Sequence, residues 1–248
     1  MEPTDNISAV APARQKLSWG PLMAISGTIL AYIFSQVSVA LMVIIIGLVS
    51  PSSNLIDNID NSPWLNFSIT GFASLSILVV VLIFLRLKND SFKSLGFKKM
   101  VLGDVIWLVV GVVIYFILLM AVTSLASLIP GFNIDQSQNV GYNNLAGWQY
   151  LLAFAGLVII PPITEEILFR GFLYRGLASR WPRIIAALFA SALFGLVHFQ
   201  WNVGVDVFVL SLVLIFLLEK THNLWVCVGL HAAKNLLAFL VLFVFIGR

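Results

Sequence analysis

Charge is scarce in this sequence. Of its 248 residues only 10% are Asp, Glu, Lys or Arg, while 60% are hydrophobic. A soluble domain carries about a quarter charged residues, so a water-soluble globule is excluded. Cysteine is scarcer still: Cys227 stands alone, and no intrachain disulfide can form. The sequence also lacks a low-complexity linker, an internal repeat and any stretch polar enough to be a soluble domain. Several hydrolase patterns are missing as well. There is no His-Glu-x-x-His for a zinc protease and no serine in a Gly-x-Ser-x-Gly setting. An aspartyl dyad would need two mid-membrane aspartates, and Asp104 and Asp206 both lie near the ends of apolar runs.

Seven apolar runs are present, at about 21–49, 66–86, 104–129, 148–163, 183–199, 204–219 and 224–247. Most have the length that crosses a hydrocarbon core of about 30 Å as a helix. They are too long and too uniformly apolar for membrane strands, which alternate and must close into barrels. The expected fold is all-α, one polytopic membrane bundle of about seven transmembrane helices. Residues 1–19 read as a polar cytoplasmic tail, 20–145 as N-terminal transmembrane helices and 146–248 as the helices that carry the chemistry. The Ala-Pro-Ala stretch at 11–13 precedes the first apolar run, which suits a retained helix better than a cleaved signal.

Basic residues set the expected orientation. They fall in the tail (Arg14, Lys16), in the second connection (Arg86, Lys88, Lys93, Lys98, Lys99), after the fourth run (Arg170, Arg175, Arg180, Arg183) and after the sixth (Lys220). The connections at 50–65, 130–147 and 199–203 contain none. That alternation puts the N-terminus in the cytoplasm and residues 86–103 and 170–183 on the same side. The net charge of +3 therefore marks cytoplasmic loops, and nucleic acid is not an expected partner.

An ionisable residue inside a bilayer costs roughly 3 kcal/mol or more at the centre, so each one needs a reason. In Pro161-Pro162-Ile163-Thr164-Glu165-Glu166-Ile167-Leu168-Phe169-Arg170, the prolines are expected to kink or break the helix and Thr164 to cap a new one. Glu166 and Arg170 are four apart and can pair, while Glu165 points about 100° away. One carboxylate is thereby left for chemistry. His198 ends Phe194-Gly195-Leu196-Val197-His198, and His231 and Asn235 share one face of the last run. Taken singly, each has an ordinary explanation: acids decorate helix starts, histidines bond neighbouring carbonyls and polar side chains glue helices. Three readings of Lys234 stand open: it snorkels, it lowers the pKa of a nearby carboxylate or histidine, or it meets a substrate's C-terminal carboxylate. Gln200, Trp201, Asn202 and Asp206 read as a polar helix connection. Together, two carboxylates, an arginine, two histidines and an asparagine in three apolar helices are what a water-using site in a bilayer needs.

These three motifs, Glu165-Glu166…Arg170, Phe194…His198 and His231…Asn235, resemble in order and spacing those of the CPBP family, the CAAX-protease and bacteriocin-processing membrane proteins, also called the Abi family. The resemblance covers about 146–245 and implies a fold like that of type II CAAX prenyl proteases. It implies an intramembrane glutamic endopeptidase in which Glu165 is the general base and His198 helps hold the attacking water. His231 and Asn235 would form the oxyanion site, with Glu166 and Arg170 a supporting ion pair. The implied chemistry uses no cofactor, although Glu165, His198 and His231 form a carboxylate-plus-two-histidine set that zinc accepts. The partners implied are a membrane-associated peptide or protein substrate and the lipid bilayer, and the location a bacterial plasma membrane. The family also includes members acting in bacteriocin maturation and self-immunity, so a non-catalytic immunity or scaffold protein is the alternative. A transporter is a third reading, since buried Glu, His and Lys also build proton relays.

One geometric condition follows. A straight hairpin of runs four and five would separate Glu165 and His198 by on the order of 20 Å. They become level only if a helix from Thr164 reaches the turn at Trp181-Pro182 and the chain returns antiparallel. The Phe199–Val203 connection would then lie within the membrane, lining a wet cavity.

Overall fold

A computed structural model describes residues 17–49, 59–131, 140–143 and 145–246. Most of the polar tail, with Arg14 and Lys16, and much of the connections at 50–65 and 130–147 lie outside the described residues. Among the described residues every regular element is helical. The long helices are α1 (Pro21–Val49), α2 (Pro63–Leu87), α3 (Leu102–Ala126) and α4 (Gln149–Ala178). A short α5 (Arg183–Leu196) follows, then α6 (Trp201–Thr221) and α7 (Leu224–Leu240). Six of these are long and apolar enough to cross a membrane, and α5 is a shorter apolar helix.

The seven expected helices are thus present, and the fifth is the short one. At 1.5 Å per residue the 14 residues of α5 reach only about 21 Å, short of the hydrocarbon thickness. It stops because the chain reverses there. Phe199 takes a left-handed conformation (φ 53°), and Gly195 and Gly204 bring the α5 and α6 backbones into contact. A Cβ on Gly195 would lie 2.9 Å from the Gly204 carbonyl oxygen.

A correction concerns Pro161-Pro162. They do not end a helix, and α4 runs unbroken from Gln149 to Ala178. Two wide π turns, Ala155–Ile159 and Glu166–Tyr174, let it continue. The prolines bring no N–H to the carbonyls one turn back, and Asn235 Nδ2 of α7 donates to one of them, Leu157 O, at 2.9 Å. Thr164 caps nothing: its hydroxyl donates back to Ile160 O at 3.1 Å. Arg170, expected in a basic connection, is fully buried in α4.

Helices α4 and α6 form the centre, with Leu168, Phe172, Leu210, Leu214 and Leu217 in the core. Helices α1 and α3 turn Ile44, Ile45, Ile117 and Met120 outward, an apolar exposure suited to lipid. The basic end is tied by a buried knot. Asp104 accepts from Val101 N (3.1 Å) and from Asn223 Nδ2 (2.9 Å), and Asn223 Oδ1 caps α7 by accepting from Trp225 N (3.2 Å). The charge alternation predicts that Ser94→Cys in a Cys227→Ala background is labelled by an impermeant thiol reagent only from the cytoplasmic side. Labelling from outside would reverse the orientation.

Candidate active site

The two adjacent carboxylates of α4 have opposite environments. Glu166 is wholly buried, and its Oε1 accepts from Arg170 Nη1 at 2.9 Å and from His231 Nδ1 at 2.8 Å. The Glu165 side chain retains 28% of its exposure, and its Oε2 lies 3.8 Å from His231 Nε2, beyond a direct hydrogen bond. His231 thus bridges a locked carboxylate and an open one. Pairing with Arg170 keeps Glu166 an acceptor, so Nδ1 of His231 carries the proton there. Its Nε2 faces Glu165.

Arg170 has Glu166 as its ionic partner and the face of Phe194, 4.3 Å from its guanidinium carbon, as its cushion. Nε and Nη2 of Arg170 and Oε2 of Glu166 are buried with no hydrogen-bond partner. The pair depends on itself. Phe194 also packs edge-on against Phe169 (4.8 Å), His198 (5.1 Å) and His231 (6.0 Å between centroids). The contact of 169 and 170 with 194 sets the register of the α4–α5 hairpin. His198 Nδ1 lies 2.7 Å from Phe194 O. A carbonyl only accepts, so the proton is on Nδ1 and Nε2 presents a lone pair.

Asn235 sits on α7 with one amide N–H on Leu157 O, which leaves its second N–H. Two participants were not evident in the sequence. Tyr32 of α1 donates to Val197 O at 2.9 Å and lies close enough to Glu165 to interact electrostatically. No pattern distinguishes a lone tyrosine in an apolar helix. The other is Phe194, read only as a spacing marker, which is the packing hub.

Asp206 and Lys234 are corrected too. Lys234 does not snorkel: its Nζ pairs with Asp206 Oδ2 at 2.9 Å, and Tyr115 donates to Oδ1. Asp206 belongs to α6 and not to a loop. Because the pair is about a fifth exposed on each side, Asp206→Asn should cost about 1–2 kcal/mol, less than a sealed pair. Adding Lys234→Met should recover most of the loss in detergent unfolding. The expected wet cavity at 199–203 is also different. The groove of about 650 Å³ beside Phe199 and Trp201 is lined almost wholly by apolar side chains. Among the described residues no group of three His, Cys, Asp or Glu side chains is placed to hold a metal ion.

The fold and this cluster define an integral membrane protein with a buried carboxylate–imidazole centre. Residues 147–237 match the family model described as type II CAAX prenyl endopeptidase Rce1-like. A Bacillus subtilis protein described as "Uncharacterized protein YyaK" is 30% identical over 147 residues, covering 54% of this chain and 46% of its own length. The Lactococcus lactis "UPF0177 protein YxdF" is 25% identical over 162 residues, covering 64% of this chain and 89% of its own. The chain thus spans about half the length of the first relative. No solved structure matches the chain.

Proposed function

We propose that the chain is an intramembrane endopeptidase in which Glu165 activates water against a peptide bond of a membrane-associated peptide or protein. The observation that carries this reading is the asymmetry of the carboxylates. Glu166 is held by Arg170 and His231, whereas Glu165 stays open with an imidazole nitrogen 3.8 Å away.

Glu165 takes a proton from water, and the hydroxide oxygen bonds to the carbonyl carbon. His198 Nε2 accepts a hydrogen bond from the other O–H of that water and aims the oxygen. The carbonyl oxygen becomes an oxyanion, for which the His231 imidazole and the second N–H of Asn235 form the site. Glu165 then passes its proton to the amide nitrogen, the C–N bond breaks, and an acid and an amine leave. Glu166 fixes the tautomer and angle of His231, and Arg170 fixes Glu166. Apolar grooves beside the site, one lined by Tyr32, Phe169 and Val197 and one by Gly195 and Trp201, suit the side chains of a membrane-borne substrate.

The test is co-expression with candidate membrane and leader peptides, followed by mass spectrometry of new termini. A wild-type-dependent terminus supports the reading, and its absence across a membrane-peptide library would overturn it. Cleavage by purified protein should survive chelator unchanged. Loss to chelator with recovery on adding zinc would replace this mechanism by a metal one.

A further inference from the structure

At the basic end of the bundle, away from Glu165, a cavity of about 310 Å³ opens where four elements meet. These are the α2–α3 connection, the last turn of α4, the start of α5 and the end of α6. Its walls carry Lys93, Lys98, Arg175 and Arg183 against a single carboxylate, Glu219. That carboxylate is already satisfied: Oε1 accepts from Tyr174 Oη at 2.9 Å and Oε2 pairs with Arg183 Nη1 at 3.1 Å. Arg175 also interacts with Asp90, so the exposed cations left in the wall beyond the Arg183–Glu219 pair are Lys93 and Lys98.

The cavity is built into the fold. Arg175 Nη1 lies 2.4 Å from where a Cβ on Gly96 would stand, so the guanidinium occupies space that only glycine leaves. Gly96 also takes φ +101°, which favours glycine for a second reason. Its carbonyl accepts from Leu224 N at 2.9 Å, tying the connection to the start of α7. The two lysines are exposed at the rim and Arg175 lies deeper.

We propose that this cavity binds the phosphate of an anionic lipid headgroup. Phosphate oxyanions are the chemistry that Lys93 and Lys98 at the rim, above Arg175 and the Arg183–Glu219 pair, select. The location argues for the lipid as their source. Trp181, Trp225 with Phe97 (4.9 Å), and Trp107 beneath Lys220 (5.9 Å) mark the same end of the bundle as the level where aromatic rings meet headgroups. Leu17, Phe97 and Leu218 supply an apolar wall for the glycerol and first methylenes. The volume lies at the lower end of ligand pockets, about 300–1,000 Å³, which suits a headgroup.

The experiment uses the full chain in a neutral detergent at fixed ionic strength, with thermal stabilisation read against added lipid. Phosphatidylglycerol should stabilise the protein saturably and phosphatidylcholine should not. Lys93→Gln with Lys98→Gln should raise the half-saturating concentration on the order of tenfold. The pair Lys88→Gln with Lys99→Gln removes the same charge from the same connection outside the cavity and should leave it unchanged. Equal losses in both pairs would overturn the site in favour of diffuse surface attraction. Saturation by inorganic phosphate or glycerol phosphate at the concentration that phosphatidylglycerol needs would overturn the lipid assignment.

Discussion

Glu165→Gln should abolish cleavage while the protein still inserts, folds and accumulates. The amide keeps the size of the side chain and removes only the base, and a lost general base lowers turnover by about 10²–10⁴-fold. Stability should move by no more than about 0.5 kcal/mol, because this side chain is part-exposed and holds no direct hydrogen bond to His231 at 3.8 Å. The measurement is terminus mapping at matched protein amount, with thermal unfolding in detergent alongside. Turnover above a few per cent would place the base elsewhere.

Glu166→Gln should have the opposite signature. The amide oxygen can still accept from Arg170 and His231, but the negative charge that compensates a fully buried guanidinium is gone. Removing one member of a buried pair costs about 3–5 kcal/mol, and the retained hydrogen bonds put this case near 3. Unfolding temperature and cellular abundance should both fall. Glu166→Gln combined with Arg170→Met should be more stable than Glu166→Gln alone, because the orphaned charge is removed. A well-folded but inactive Glu166→Gln beside an active Glu165→Gln would exchange the two roles.

The two predictions differ because neighbours in sequence meet different surroundings, and that difference was only half legible beforehand. The i,i+4 spacing of Glu166 and Arg170 and the 100° rotation of Glu165 follow from helical geometry alone, and the structure has the 166–170 pair at 2.9 Å. That His231 closes on Glu166 through Nδ1, and faces Glu165 only through Nε2, depends on how α7 is rotated against α4. No local rule sets that rotation.

Pro161-Pro162 shows the same limit. Local chemistry says that two prolines cannot continue a regular helix, and by itself that is sound. The structure keeps the helix because π turns shift the hydrogen-bond register and because an asparagine 78 positions away donates to Leu157 O. The partner is non-local, so the break could not be discounted from the sequence. Lys234 is a parallel case. Its snorkelling was a fair reading of α7 alone, and Asp206 and Tyr115 reached it only through the packing of α6 and α3.

By itself, then, the sequence determined the class of protein, the helical state of the long apolar runs, the three motif segments and the side of the bundle that carries the basic residues. These depend on run length, composition and spacings of four, which act along one helix. The tertiary structure decided that α5 stops after 14 residues, that α4 is one helix, that Phe194 holds Arg170 and both imidazoles, and that Glu166 is sealed while Glu165 is open. Each of these rests on contacts between helices far apart in the chain. In lipid, where every helix face is apolar, close packing at residues such as Gly195 and Gly204 and a few polar pairs choose among the possible registers.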